Sequence, residues 1–282
     1  MYYLLISASV IMFSFQFLFN RIYERKNGNS LRSMFVFTLG ANITGFIILF
    51  FINKCRFEFT PFTLLVAAVA ALNNFGYSYC SIKALGKINL SLYSVFAMLG
   101  GMTLPFIAGI AFFDETITWG KGICFALIAV SLFITVQPGS GKSGAGYYAG
   151  VFVMNGLSGV ISKFFQDSQY EKTGDAGYSM LIALCVIVIS LVALLFIRKP
   201  SLRFTPAVLG ASAGYGVLSS VANFLLLIAL THIPASAQYP FVTGGVMIMS
   251  TVIAFFTPDK PGKREILSVA LSFAGIMALV LF

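Results

Sequence analysis

Tyr215, Ser219 and Asn223 follow one another at four-residue intervals, the spacing that stacks side chains on one face of a helix. A phenol, a hydroxyl and an amide in a row donate and accept hydrogen bonds. They neither abstract protons nor carry charge, so the chemistry they offer is recognition of a small polar molecule. Similar rows recur. Asn155, Ser158, Ser162 and Gln166 make one, and Ser236, Tyr239 and Thr243 make another. Elsewhere Asn73, Asn74, Tyr77, Ser78 and Ser81 cluster, Ser9, Met12, Gln16 and Asn20 share a face, and so do Ser91, Ser94 and Met98. Each of these residues also has a plainer use. Ser and Thr can bond their own helix, and Asn and Gln can tie two helices together.

The ionisable residues are distributed differently. Glu24, Glu58, Asp114, Glu115, Asp167, Glu171, Asp175, Asp259 and Glu265 all lie near the ends of apolar stretches. Lys163 and Lys83 are the lysines set deepest in apolar sequence. Lys163 stands beside Ser158 and Ser162, where it could meet a carboxylate or phosphate of a substrate, or run its stem to an aqueous surface. His232 falls in a short loop. No Ser/His/Asp, Cys/His or paired-carboxylate constellation exists, so no catalytic residues and no enzyme activity are expected. Cys55, Cys80, Cys124 and Cys185 are scattered singly, which argues against a disulfide framework or a zinc site, and no metal or cofactor is expected.

These rows need helices in a low-dielectric setting, and the composition supplies it. The 282 residues are 59% hydrophobic and 10% charged, with a mean hydropathy of +0.93. A soluble domain is about 45–50% apolar and about 25% charged. Apolar stretches cover about 2–20, 32–53, 61–81, 89–112, 119–137, 145–166, 177–197, 206–229, 234–256 and 265–282. Each suits a span of roughly 20 residues. The expected fold class is therefore an all-α integral membrane protein with ten transmembrane helices, multi-pass in the cell membrane. Met1-Tyr2-Tyr3 lacks a basic leader, so the first stretch is expected to be a permanent span. The net charge of +9 is assigned to lipid and topology rather than nucleic acid, because no basic run stands clear of the apolar stretches.

The chain repeats itself. Residues 52–114 align with 197–259, matching Ile52 with Ile197, Lys54 with Lys199, Phe59-Thr60-Pro61 with Phe204-Thr205-Pro206, Gly100 with Gly245 and Asp114 with Asp259. Upstream, YERKNGNSLRSM (23–34) matches YEKTGDAGYSM (170–180) with one gap. Two homologous units follow: 1–137, a Gly/Ser linker over 138–144, and 145–282. Five helices per unit is an odd number, so the second unit is expected to be inverted in the membrane, with a solute site between the units. The proline of each FTP is expected to begin the third helix of its unit. GSGKS (139–143) lacks the first glycine and the strand of a phosphate-binding loop and is read as linker. Gly210 with Gly214, and Gly146 with Gly150, have the spacing that brings helices close. Pro105 and Pro240, inside the fourth and ninth stretches, are candidate gates.

ALGKINLSLYSVFAMLGGMTLPFIAGIAFFDETITWGKGICFALIAVSLFITV (84–136) resembles the EamA repeat of the drug/metabolite transporter superfamily, and ALTHIPASAQYPFV (229–242) is similar. The likeness lies in the AL…I..S lead-in, the internal proline, Glu115 after the fourth stretch and the small residues of the fifth. It extends over the chain as two EamA-like units. It implies ten helices, inverted halves and a central cavity lined by helices 1, 3, 4, 6, 8 and 9, the helices that carry the polar rows. Lys260 stands where Glu115 has its mate, and the first stretch lacks the embedded Glu of the small multidrug relatives, which argues against proton-coupled cation export.

The expected function is secondary transport of a small polar metabolite, such as an amino acid or related amine, one half rocking on the other. Its site is expected to draw on Gln16, Asn73, Asn74, Tyr77, Ser94, Asn155, Ser158, Ser162, Lys163, Tyr215, Ser219, Asn223, Tyr239 and Thr243. Alternatives are a choline-like amine held in a cage of Tyr77, Tyr93, Tyr215 and Tyr239, and a scaffold or lipid-processing protein. The partners expected are the substrate and the bilayer, for a monomer or homodimer. Of the 18 basic residues, all but Lys54, Arg56, Lys121, Lys163 and Lys172 fall toward the loops after odd-numbered helices. That count puts those loops in the cytoplasm. The resemblance puts both termini there instead, and its orientation is the one expected, with a basic outer vestibule and Asn29 outside.

Overall fold

The computed structural model describes residues 2–28, 30–85, 90–134, 145–197, 202, 204–256 and 262–281. The expected linker 138–144, Asn29, and the side chains of Tyr93 and Ser94 lie outside the described residues. Among the described residues the chain is all helix and turn. The helices are α1 (Tyr2–Asn27), α2 (Leu31–Ile52), α3 (Pro61–Leu85), α4 (Leu90–Phe112), α5 (Trp119–Ile134), α6 (Ala145–Asp167), α7 (Asp175–Phe196), α8 (Pro206–Leu230), α9 (Ala235–Phe255) and α10 (Lys263–Leu281).

The repeated FTP is a helix start. Thr60 Oγ1 accepts the Thr63 N–H at 3.2 Å, and Thr205 Oγ1 accepts the Val208 N–H at 3.4 Å. Pro61 and Pro206 then occupy the first helical position, where a missing N–H costs nothing.

Six helices are each long and apolar enough to cross a membrane: α1, α2, α4 over Val95–Phe112, α7, α8 and α10. Val188, Leu191 and Leu195 on α7 and Phe273, Met277 and Val280 on α10 point outward and are exposed. Such faces suit hydrocarbon rather than water, and the protein is an all-helical membrane protein.

The principal packing runs between the halves. α1 lies on α8, α2 on α7, α3 on α6 and α5 on α10; α4 packs on α6 and α9, and α9 on α1. Exchanging each helix with the one five places along maps these contacts onto themselves, although α9 also packs on α10 more broadly than α4 does on α5. The halves are thus interlaced rather than separate bodies. α5 and α10 are joined by buried hydroxyls: Ser131 Oγ lies 2.9 Å from Ser268 Oγ and 2.8 Å from Ser272 Oγ.

One glycine of each GxxxG pair is a close approach, to a side chain rather than to backbone. A Cβ on Gly210 or Gly146 would meet nothing within 4 Å, while Gly214 faces Phe19 and Gly150 faces Cys80. Backbones meet instead at Gly100 and Gly156, where α4 crosses α6, and at Gly216, which lies on the Ala41 carbonyl of α2.

Candidate functional site

The polar rows divide into ties between helices and groups left open. Asn155 on α6 donates to the Ala97 carbonyl of α4 at 2.7 Å, and Asn73 on α3 donates to the Met154 carbonyl of α6 at 2.8 Å. Both bind α6 into the bundle beside the Gly100–Gly156 crossing. Ser9 on α1 donates to the Ala222 carbonyl of α8 at 3.0 Å. Gln166 bridges the Asp175 carboxylate, at 2.7 Å, and the Leu227 carbonyl, at 3.0 Å.

Asn223 is different. Among the described residues its amide donates within its own helix, to the Ser219 carbonyl at 2.8 Å and to Ser219 Oγ at 3.4 Å, and its side chain is exposed. Ser219 and Asn223 stand well round α8 from Val217, which is exposed on an apolar face. α8 meets α2 through Gly216 and Ser220, and α1 through Gly214 and Ala222. The exposure of Asn223 therefore opens on a polar face of the bundle. Among the described residues three buried amide oxygens, Gln16 Oε1, Asn73 Oδ1 and Gln238 Oε1, have no protein partner and retain capacity for a donor.

The remaining expected residues are placed as follows. Asn74, with Ser78, lines a cavity of about 30 Å³ between α2, α3 and α7 that Thr38 and Ser190 complete. It lies a third of a turn from Asn73, and so does not share the α6-facing surface. Tyr77 packs with Tyr148 and Val151, and Tyr215 stacks edge-on against Phe37 at 4.8 Å. Both tyrosines pack against aromatic neighbours. Ser162 donates to the Ser158 carbonyl at 3.1 Å, and Ser158 and Thr243 are half-buried. Tyr239 OH donates to the Gly159 carbonyl at 3.2 Å. Pro105 reaches the same place, since a Cβ on Gly159 would lie 2.5 Å from Pro105 Cγ and 2.8 Å from Tyr239 Cζ. α4 and α9 thus both close on α6 at one glycine. Pro240 is buried one residue beyond Tyr239.

Lys163 is the clearest departure from expectation. It neither runs to the surface nor faces an open site. Its Nζ lies 3.4 Å from Glu115 Oε1 and 3.1 Å from Asp167 Oδ2, and 5.6 Å from the centre of the Phe113 ring. Glu115, whose side chain is 5% exposed, also accepts the N–H groups of Ala235 at 2.7 Å and Ser236 at 2.9 Å, the first residues of α9. The carboxylate reaches them because Asp114 takes a left-handed turn (φ 50°) and the Glu115 N–H bonds back to the Gly109 carbonyl at 3.0 Å. The side chain then folds over Gly109, where a Cβ would lie 2.5 Å from Glu115 Oε2. Burial pushes the Glu115 carboxyl upward. The hydrogen bonds from Ser236 and Ala235 and the Lys163 ammonium outweigh that, and hold it below the usual carboxylate range.

Sequence reasoning named Glu115 only as a mark of resemblance. The four-residue spacing of Lys163 and Asp167 was a legible ion-pair signal. The reach of Glu115 to α9 was not legible, since it depends on a loop conformation. More ties close the same end of the bundle. The Thr173 N–H donates to Thr63 Oγ1 at 3.0 Å, the Gly174 N–H to Glu58 Oε2 at 2.9 Å, and Gln238, fully buried, to the Leu226 carbonyl at 3.0 Å. Lys172 Nζ caps the last turn of α6 through the carbonyls of Phe165, Gln166 and Ser168.

No family model and no curated protein matches the sequence. The fold does have counterparts, with 29 chains of solved structures matching. One, described only as the crystal structure of a protein, superposes with a TM-score of 0.82 at 13% identity, over 99% of this chain and 96% of that one. A likeness at that identity carries the fold and nothing about activity.

Proposed function

We propose that this chain is a secondary transporter of a small polar, uncharged or zwitterionic metabolite such as an amino acid or related amine. Ten membrane-crossing helices would form two inverted, EamA-like halves in a cell membrane and work by alternating access. The observation that carries the reading is the exposed Asn223 on a polar face of α8, in a bundle tied shut at one end by the Glu115–Lys163 network. A polar side chain deep in an apolar helix is stable where water or a solute reaches it. Most helix pairings recur when each helix is exchanged with its mate, the α9–α10 contact excepted, which supports the inverted halves. The open groups are amides and hydroxyls, which would hold the solute.

The test is flux into proteoliposomes of the purified protein, using a panel of labelled neutral and zwitterionic metabolites. At least one should enter faster than into protein-free vesicles, and Asn223→Ala should abolish the excess while eluting as a folded protein. Rates equal to protein-free vesicles for the whole panel would refute transport of this class.

A further inference from the structure

Glu115 joins three elements that alternating access would have to separate: the tip of α4, the last turn of α6 and the first turn of α9. Its carboxylate accepts two α9 N–H groups and meets Lys163, which is itself steadied by Asp167 and the Phe113 ring. The fold is two-fold related, yet this device cannot recur at the other end. In the alignment of the halves, position 115 corresponds to Lys260 and position 163 to Phe17. A lysine cannot accept helix N–H groups, and a phenylalanine supplies no cation.

We propose that Glu115 is a one-sided latch. It holds its own end of the bundle shut in the resting protein and biases the protein toward the state open at the opposite end. Opening the Glu115 end separates a nearly buried carboxylate from Lys163 and from an uncapped helix start at once. A charge at a helix N-terminus with two charge-assisted hydrogen bonds is among the stronger single contacts available to a membrane bundle. The proposal rests on the alternating-access reading and adds which state is the resting one and what must be broken in each cycle.

Distances between spin labels test it without any substrate. In a background lacking the four native cysteines, one pair of labels, Thr116→Cys with Gln169→Cys, reports the Glu115 end. A second pair, Lys26→Cys with Gly146→Cys, reports the opposite end. With Glu115 intact, the first pair should give one short distance. Glu115→Gln should raise the long-distance population there roughly tenfold and shorten distances in the second pair. Lys163→Met keeps the α9 cap and should shift both pairs the same way by less; it carries the test if Glu115→Gln fails to fold. Lys172→Met damages the same end without touching α4 or α9 and should leave both distributions unchanged. Unchanged distributions in a folded Glu115→Gln or Lys163→Met protein, or an equal shift in Lys172→Met, would overturn the latch. A shift in distances without any solute flux would retain the latch as a conformational device and sink the transport reading.

Discussion

At Gly100 a single methyl group tests where the bundle is tightest. An ideal Cβ there would lie 2.6 Å from Phe152 Cα and 2.7 Å from its carbonyl carbon. Carbon atoms rest about 3.5–4.0 Å apart, so the α6 backbone would have to retreat by about 1 Å. Backbone cannot swing away as a side-chain tip can. Gly156 fixes the same crossing from the other side, since its own Cβ would lie 2.6 Å from Leu104 Cβ. Overpacking of this kind costs about 1–3 kcal/mol. The better helix propensity of alanine returns up to about 1 kcal/mol. Gly100→Ala should therefore destabilise by about 1–2 kcal/mol, which for a chain of this size lowers the unfolding temperature by roughly 2–8 °C. Gly210→Ala fills open space and should gain up to about 1 kcal/mol from propensity alone. Size-exclusion chromatography after heating the detergent-solubilised protein reads both shifts. The reasoning fails if Gly100→Ala is neutral, or if Gly210→Ala is the more damaging of the two, as its GxxxG spacing would suggest.

Asn73→Ala removes a buried tie between α3 and α6 and should cost about 1–2 kcal/mol in the same measurement; Asn223→Ala, whose amide bonds only its own helix, should stay within about 0.5 kcal/mol of the parent. Because the Glu115 carboxyl is held below its ordinary range, its stabilising contribution is complete above that range and is lost as pH falls through its lowered value. The Thr116–Gln169 label distance should therefore be constant from neutral pH down to mild acidity and lengthen only in stronger acid, whereas lengthening near neutrality would show that another group governs the closed end.

All ten helices were legible because apolar length and turn residues mark them, and FTP marked two helix starts through Thr60 and Thr205. The partner of each polar face was not legible. Periodicity tells which residues share a face, not what stands opposite, and in a bundle of interlaced halves an inner helix has protein on several sides. Asn73 and Asn74 are neighbours in sequence, yet one ties α3 to α6 and the other lines a small cavity against α2 and α7. The ion pair of Lys163 with Glu115 was not legible for a related reason. Its partner Glu115 comes from a loop nearly fifty residues away, and the left-handed turn at Asp114 that delivers it has no glycine to announce it. The GxxxG spacings do not mark the backbone crossing, because close approach depends on what crosses a helix at that height, and a lone Gly100 opposite Gly156 is enough.

The two halves depart from symmetry in one coherent way. α4 lies against α6 backbone to backbone at Gly100 and Gly156, and meets α5 at longer range through side chains such as Phe106 on Phe125. Its mate α9 packs broadly on α10, and its Gly245, the counterpart of Gly100, faces only the side chain of Val10 on α1. On the proposed inverted-repeat reading, the second state would be one in which α9 takes the tight crossing with α1 and α4 falls back onto α5. α4 and α9 are also the helices with internal prolines, Pro105 and Pro240, each of which leaves the carbonyl four residues earlier without its usual partner and eases bending. On the alternating-access reading, the moving parts are then these two helices rather than whole halves. The α1–α8, α2–α7, α3–α6 and α5–α10 pairings can persist throughout the cycle. Glu115 sits where the exchange must begin, because it is anchored beside α4 and bonded to the first turn of α9.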